Sequence, residues 1–456
     1  MAIKPSTPKG TRDFSAIEIS KRNYIKNILQ QSFESYGFEP IETPSFERLE
    51  TLTGVYGEEG DRLVFKILNS GEKVKKANVD ALEKGAYLKF ARSLSEKALR
   101  YDLTVPFARY VAQHQNKLTF PFRRYQIQPV WRADRPQHGR FQEFYQCDAD
   151  IVGDRSLWQE VEMLSLYDHA FSKLQIRGVV LKINHRKILS GIAGLLGANE
   201  LLVDFTVALD KLDKIGKEGV FNELKTKDFS KDSLSVLEEL LNLKGSTSEQ
   251  LLKLKSMLSD QQEGLLGIEE LEFIIQQWEG QSPQTVQLDF DLTLARGLHY
   301  YTGMIVEVSA PQKVSMGSIG GGGRYDDLTG TFGLKNMSGL GVSFGFERIY
   351  LVMEDLNLFP EALLNKTKVL FVNFGDKSVE QAYSCVTQLR KKQIPCELYP
   401  SEAKLKKQLG YANQKSIQKV VLIGSNEVEN QTFILTDMIL GSQSVHSISE
   451  LLKVLA

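Results

Sequence analysis

Apolar positions change period several times along the chain. From Ile17 to Tyr36 they fall at Tyr24, Ile25, Ile28, Leu29, Phe33 and Tyr36, the three-and-four spacing of a helix with one buried face. Gly37 follows as its C-cap. The next stretch, FEPIETPSFE, carries Pro40 and Pro44 and reads as extended. From Leu118 to Gly153 two β-rich runs flank a polar loop at residues 133–139, which predicts an antiparallel hairpin with a long loop. Helical spacing returns at Trp158–Leu174.

From about residue 185 to 286 the text turns to Glu, Lys and Leu at helical spacing, as in VLEELLNLKGSTSEQLLKLKSML and GIEELEFIIQQW. This region reads as a helical insertion. Strand-like text resumes with TVQLDFDLTLARGLHYYTGMIVEVS, followed by GSIGGGGRYDDL and GLGVSFGFERIYLVMEDL. Beyond a boundary at residues 357–367, strand and helix patterns alternate through KVLFVNF, IPCELYP and KVVLIG, which predicts a small α/β domain with a mostly parallel sheet. The expected division is therefore 1–184 and 287–357 for a split core, 185–286 for the insertion, and 368–456 for the last domain.

Length and composition agree with that division. The chain has 456 residues, 42% hydrophobic and 25% charged, enough for two or three globular domains. No apolar run approaches the roughly 18 residues of a membrane span, and MAIKPSTPKGTRDF lacks the apolar segment of a secretory signal. Lys plus Arg is 56 against 57 for Asp plus Glu, so indiscriminate nucleic-acid binding is not expected, although a local basic patch is compatible. Cys147, Cys385 and Cys396 suit a reducing compartment and give neither a disulfide framework nor a zinc spacing.

Four stretches carry candidate chemistry. VWRADRPQHGRFQEFYQ places Arg132, Arg135 and Arg140 around the hairpin loop, with Phe141 and Phe144 among them: planar forks for phosphate or carboxylate oxygens beside ring faces for a base. GSIGGGGRYDDL is glycine-rich but lacks the G-K-[ST] of a phosphate-binding P-loop, and reads as a turn or a close backbone approach. GVSFGFERIYLV runs a strand into a helix with Arg348 in its first turn. In LRYDLTVPFARY, Asp102 and Thr104 are two apart and would share one face of a strand, where they could hold an ammonium group. A fifth stretch, LARGLHYYTG, sets Arg296 beside Tyr300 and Tyr301.

In this order the stretches resemble class II aminoacyl-tRNA synthetases, and KGTRDF, RYQIQPVWRADRPQHGRFQEFYQCDADIVG, LARGLHYYTG, GGGRYDDL and GVSFGFERI resemble the histidyl-tRNA synthetase family along essentially the whole chain. The resemblance implies an α/β protein: an α+β catalytic core built on an antiparallel sheet with flanking helices, a helical insertion, and a C-terminal α/β anticodon-binding domain. It implies that Arg132 binds the ATP α-phosphate, that Arg348 and Arg140 contact ATP, and that Phe144 stacks on adenine. It sets Arg296 between the substrate carboxylate and the α-phosphate, with Arg132, Arg296 and Arg348 as the catalytic charges. Asp102, Thr104 and Gln146 match the ammonium and amino-acid site, and Asp150 and Tyr301 the imidazole-reading pair. Tyr300, if on a strand, points the other way into the core. Arg135 and Gln137 match contacts to the tRNA acceptor end, and Lys404, Lys406 and Lys407 offer a backbone contact in the last domain.

The implied activity is ligation of histidine to tRNA(His) through histidyl-adenylate. ATP is a substrate with Mg²⁺ on its phosphates, and no metal-ligating side chains are assigned. The protein would be a cytoplasmic homodimer formed through the segment around Pro44, with no membrane association. The sequence departs from the family at His299, where the usual residue is aspartate. Two rival readings are a histidine-binding regulatory subunit of ATP phosphoribosyltransferase without aminoacylation, and a class II synthetase for another amino acid.

Overall fold

The two strands of the hairpin each alternate between apolar and polar side chains, and this alternation orients the main sheet. The computed structural model describes residues 4–53, 57–227, 229–295, 300–326, 328–363 and 367–455. It divides into two units, Met1–Ser15 with Arg22–Leu358, and Ala16–Lys21 with Phe359–Ala456.

In the first unit the main sheet has strands β1 (Glu39–Pro40), β2 (Phe122–Trp131), β3 (Glu143–Val152), β4 (Val179–His185), β5 (Val286–Phe290), β6 (Met304–Ser309), β7 (Ser318–Asp326) and β8 (Ser338–Phe344). Their order is β1-β2-β3-β8-β7-β6-β4-β5. All neighbours are antiparallel except the outer pairs β1/β2 and β4/β5. The helices used below are α1 (Ala16–Ser35), α2 (Thr104–His114), α3 (Trp158–Lys173), α4 (Arg186–Leu195), α5 (Gln262–Glu279) and α6 (Phe346–Asp355).

On β3, Cys147, Ala149 and Ile151 alternate with Gln146, Asp148 and Asp150; on β2, Tyr125 and Ile127 alternate with Arg124, Gln126 and Gln128. Successive side chains of a strand point to opposite faces, so one face of this sheet is apolar and the other polar. The register sets Arg124 opposite Asp150, Gln126 opposite Asp148 and Gln128 opposite Gln146. Aromatic rings of α1 and α3 cover the apolar face. Phe33 lies 5.4 Å from Tyr125 and 5.6 Å from Phe344, and Tyr167 lies 4.6 Å from Phe344. Phe33, Tyr167 and Phe344 are fully buried, each worth about 1.5–3 kcal/mol of burial. The polar face is left for chemistry.

Between β4 and β5 the described chain is helical, from α4 to α5. His185, at the end of β4, and Lys187 both reach Glu270 of α5, at 2.9 and 2.6 Å. A small sheet pairs Lys97–Leu99 with Phe46–Arg48 and Lys66–Ile67.

The second unit holds a sheet of β9 (Val369–Phe371), β10 (Cys396–Leu398), β11 (Lys419–Leu422), β12 (Thr432–Asp437) and β13 (Gln443–Ser447), in the order β10-β9-β11-β12-β13. The first three strands are parallel and the last two antiparallel, so this sheet is mixed. The switch has a simple cause. Residues 423–431 and 438–442 are too few for the crossover of a dozen or more that parallel neighbours need.

Candidate active site

Two cavities lie side by side on the polar face of the sheet. The larger, of about 250 Å³, is lined by Arg132, Arg140, Phe144, Gly320, Glu347 and Arg348 among others. The smaller, of about 160 Å³, is lined by Asp102, Thr104, Asp148, Asp150, Tyr300, Tyr301 and Tyr325 among others. Arg132, Gln146, Gly321 and Ser343 line both, so the two spaces meet at these residues.

Arg132 follows the last residue of β2. Its Nε donates to the Tyr101 carbonyl at 3.0 Å, and its guanidinium lies 4.3 Å from the Tyr101 ring and 5.3 Å from the Phe144 ring. No carboxylate among the described residues pairs with it. It is a cation held by dipoles and ring faces, with its charge unspent at the junction of the cavities. Across the larger cavity, Arg348 in the first turn of α6 donates from Nε to the Gly139 carbonyl at 3.2 Å and also reaches the Ser318 carbonyl. It thereby ties the hairpin loop to the start of β7.

Beside Arg348, the buried Glu347 accepts from Arg22 at 2.7 and 2.8 Å, from Arg12, and from the Tyr145 amide at 3.3 Å. Burial alone would raise its carboxyl, but Arg22 and Arg12 more than offset that and hold it below the usual carboxylate value. Arg12 also covers the Phe141 ring at 3.4 Å. The two phenylalanines paired in the sequence reading thus differ: Phe141 has a ring face taken by Arg12, while Phe144 lies beside Arg132.

In the smaller cavity, Asp150 is 2% exposed. Its Oδ2 lies 2.7 Å from Arg124 and its Oδ1 accepts from the Tyr325 hydroxyl at 2.7 Å. Burial pushes this carboxyl up and Arg124 opposes the shift. Asp102 and Thr104 both line the cavity, but not from a strand. Thr104 begins α2, and Asp102 caps it by accepting from the Val105 amide at 3.1 Å. Tyr300 does not point away from Tyr301 either. β6 begins only at Met304, the alternation of a strand does not apply at residues 300–301, and both rings line the cavity 4.9 Å apart, edge to face.

The glycine run is not a turn. Gly320–Gly323 belong to β7, in extended register with β8 and β6. At Gly341 of β8 a Cβ would meet Asp150 Oδ1 at 2.1 Å.

Of the residues singled out in the sequence, Asp102, Thr104, Arg132, Arg140, Phe144, Gln146, Asp150, Tyr301 and Arg348 line the two cavities. Arg135 and Gln137 line neither. Both are exposed in the hairpin loop, where Gln137 and Arg140 pair their backbones at 3.1 and 2.9 Å. Arg296 and His299 lie outside the described residues. Sequence reasoning missed Asp148, Arg124, Tyr325 and Glu347. Strand alternation carried a signal for the first two: Asp148 sits between Gln146 and Asp150 on one face, and Arg124 faces Asp150 across the hairpin.

A family model described as Histidyl-tRNA synthetase matches residues 78–349, and one described as Anticodon binding domain matches residues 368–456. The chain belongs to the histidyl-tRNA synthetase family. A histidine–tRNA ligase of Christiangramia forsetii is 59% identical over 444 residues, covering 97% of each chain. That of Flavobacterium johnsoniae is 54% identical over 461 residues, again covering 97% of each. A crystal structure of histidyl-tRNA synthetase from Nostoc sp. PCC 7120 superposes with a TM-score of 0.82 at 30% identity, covering 100% of this chain and 99% of that one. The two relatives are histidine–tRNA ligases matched along 97% of their length, and the regulatory-subunit reading is set aside.

Membership of the histidyl-tRNA synthetases gives the Gly341 contact a measurable consequence. Gly341→Ala is expected to displace the Asp150 carboxyl and lower kcat/KM for histidine in ATP–pyrophosphate exchange at least about tenfold, or about 1.4 kcal/mol. A KM for histidine equal to that of the parent protein would refute this reading of Gly341.

Proposed function

We propose that the smaller cavity holds histidine and the larger holds ATP, so that the histidine carboxylate and the α-phosphate meet at Arg132. The family activity is ligation of histidine to tRNA, with ATP consumed. In the first step a histidine carboxylate oxygen attacks the α-phosphorus. The bond from that phosphorus to the oxygen bridging to the β-phosphate breaks, and pyrophosphate leaves. In the second step the ribose hydroxyl at the 3′ end of tRNA(His) takes the histidyl group and AMP departs. No protein nucleophile is required; positioning and fixed charge supply the catalysis.

The observation that carries this reading is the Arg132 guanidinium, which lines both cavities and has no carboxylate partner among the described residues. Pentavalent charge would develop there, and Arg348 flanks the far side of the ATP space. Arg296 joins them in the family pattern. Phe144 offers a ring to adenine, with Arg140 beside it. Gln146 supports the amino-acid assignment independently: its buried Oε1 has no hydrogen-bond partner among the described residues, and a substrate ammonium would satisfy it together with Asp102 and Thr104. Asp150 and Tyr301 would read the two imidazole nitrogens.

Mg²⁺ would arrive on the ATP phosphates. The carboxylates lining the larger cavity are Asp134 and Glu347, and Glu347 is already held by Arg22 and Arg12, so the chain's own contribution there is guanidinium charge. Arg135 and Gln137 on the exposed loop would meet the acceptor end of tRNA. The exposed Lys404, Lys406 and Lys407 would meet its backbone. A homodimer formed through the segment around Pro44 and a cytoplasmic location belong to the same reading. No described helix is long and apolar enough to cross a membrane.

The test is ATP–pyrophosphate exchange on the full-length protein with each amino acid in turn. Exchange with histidine alone is expected. Exchange with another amino acid, or with none, would overturn the assignment of the smaller cavity.

A further inference from the structure

The amino-acid cavity contains one more carboxylate than the roles above use. Gln146, Asp148 and Asp150 follow one another on the same face of β3, and Asp148 lines the cavity between the two residues already given roles. It is 2% exposed. Its neighbour Asp150 is ion-paired with Arg124 and bonded to Tyr325. Asp148 has only the Ser343 hydroxyl, which donates to its Oδ1 at 2.5 Å, and no cation among the described residues lies within ion-pairing distance. Arg124, which acts on it from farther away, is already paired with Asp150, and a buried carboxylate without an ion-pair partner of its own is costly. Here it lines a cavity whose ligand, on the reading above, carries an ammonium group.

We propose that Asp148 is a further histidine-binding residue, whose carboxylate supplies a counter-charge to the cationic part of the substrate and is oriented for this by Ser343. The inference rests on the assignment of the smaller cavity to histidine.

The electrostatics give the proposal a direction. The groups that act electrostatically on Asp148 are Arg124 from β2, Asp150 on the same face of its own strand, Asp102 at the start of α2 and Tyr301 before β6, with Cys147 and Tyr167 acting from the apolar side of the sheet. Burial pushes its carboxyl up to about 7; Arg124 opposes this, Asp150 adds to it, and the Ser343 hydroxyl opposes it. In the empty cavity Asp148 is therefore mostly protonated below about pH 7 and mostly ionised above it. A cationic ligand binds the ionised form better, so the Asp148 contribution to histidine affinity is present above that pH and lost below it.

The experiment is histidine-dependent ATP–pyrophosphate exchange by the full-length protein and its Asp148→Asn variant between about pH 6 and pH 8.5, the range of the titration. The histidine ring titrates in the same range, so the quantity read is the ratio of the variant's KM to the parent's. At about pH 8 the variant is expected to need roughly tenfold more histidine, equivalent to one pKa unit, with KM for ATP unchanged. The ratio should fall toward one as the pH drops to about 6. Ser343→Ala keeps the carboxylate but loses the bond that favours its ionised form, so the limb of its profile should move to higher pH. Three outcomes would overturn the proposal: a ratio of one at all pH values, a ratio that does not vary with pH, or an unmoved limb in Ser343→Ala. Absence of histidine-dependent exchange in the parent protein would instead sink the cavity assignment, and the inference with it.

Discussion

Replacement of Arg132 by alanine is expected to lower kcat/KM for histidine-dependent pyrophosphate exchange by roughly 10²–10³, the usual cost of deleting one preorganised group that meets developing charge. The expectation comes from how the side chain is held. The Tyr101 carbonyl fixes Nε, the Tyr101 and Phe144 rings flank the guanidinium, and no carboxylate among the described residues neutralises it. Little reorganisation is needed when substrate arrives. Arg132→Lys should recover only part of the loss, because lysine keeps the charge but not the planar fork. Single-turnover adenylate formation separates this effect from product release. Retention of activity within about threefold in Arg132→Ala would remove Arg132 from the charge-stabilising role.

The second large effect is expected at a residue that lines neither cavity. Arg124 is fully buried, pairs with Asp150 at 2.7 Å and lies 4.3 Å from the Phe107 ring. Breaking a buried pair by removing one partner costs about 3–5 kcal/mol, since the other charge is left uncompensated. Arg124→Met should therefore lower the stability of the protein by that order. Asp150 is already pushed up by burial, with Arg124 opposing, and without the arginine it would rise further. Histidine KM should rise, because the Asp150 carboxyl then loses both its fixed partner and the charge that favours its ionised form. Thermal unfolding and exchange kinetics measure the two consequences separately. The double variant Arg124→Met with Asp150→Asn should regain much of the stability, because the Asp150 charge is then no longer left without its partner. Additive losses would show that the arginine acts through packing rather than through the pair.

Some of this was legible in the residues. The helical spacing that ends at Gly37, the hairpin around the arginine loop and the strand-to-helix step into Arg348 are local patterns. A period of 3.6 or 2, a cap or a turn is written within about a dozen neighbouring residues. The family resemblance then attached roles to Asp102, Gln146, Asp150 and Tyr301 that periodicity alone could not supply.

Other features depended on contacts no local pattern contains. Asp102 and Thr104 two apart suggested a strand, yet Asp102 caps the helix that Thr104 begins, and both reach the same cavity by a different geometry. Four glycines in a row suggested a turn, yet they pair with strands on both sides as an interior strand, where the neighbouring backbones and the Tyr301 ring leave little room for a Cβ. Asp148 was passed over because its significance lies in what Asp150 already holds, and that partner comes from the facing strand. Spacing and chemistry along the chain determined which elements form and which residue types each presents. Register across the sheet decided which charges are paired and which stay open, because pairing is set by distance in space. Arg22 and Glu347 stand 325 positions apart in the sequence and 2.7 Å apart in the fold.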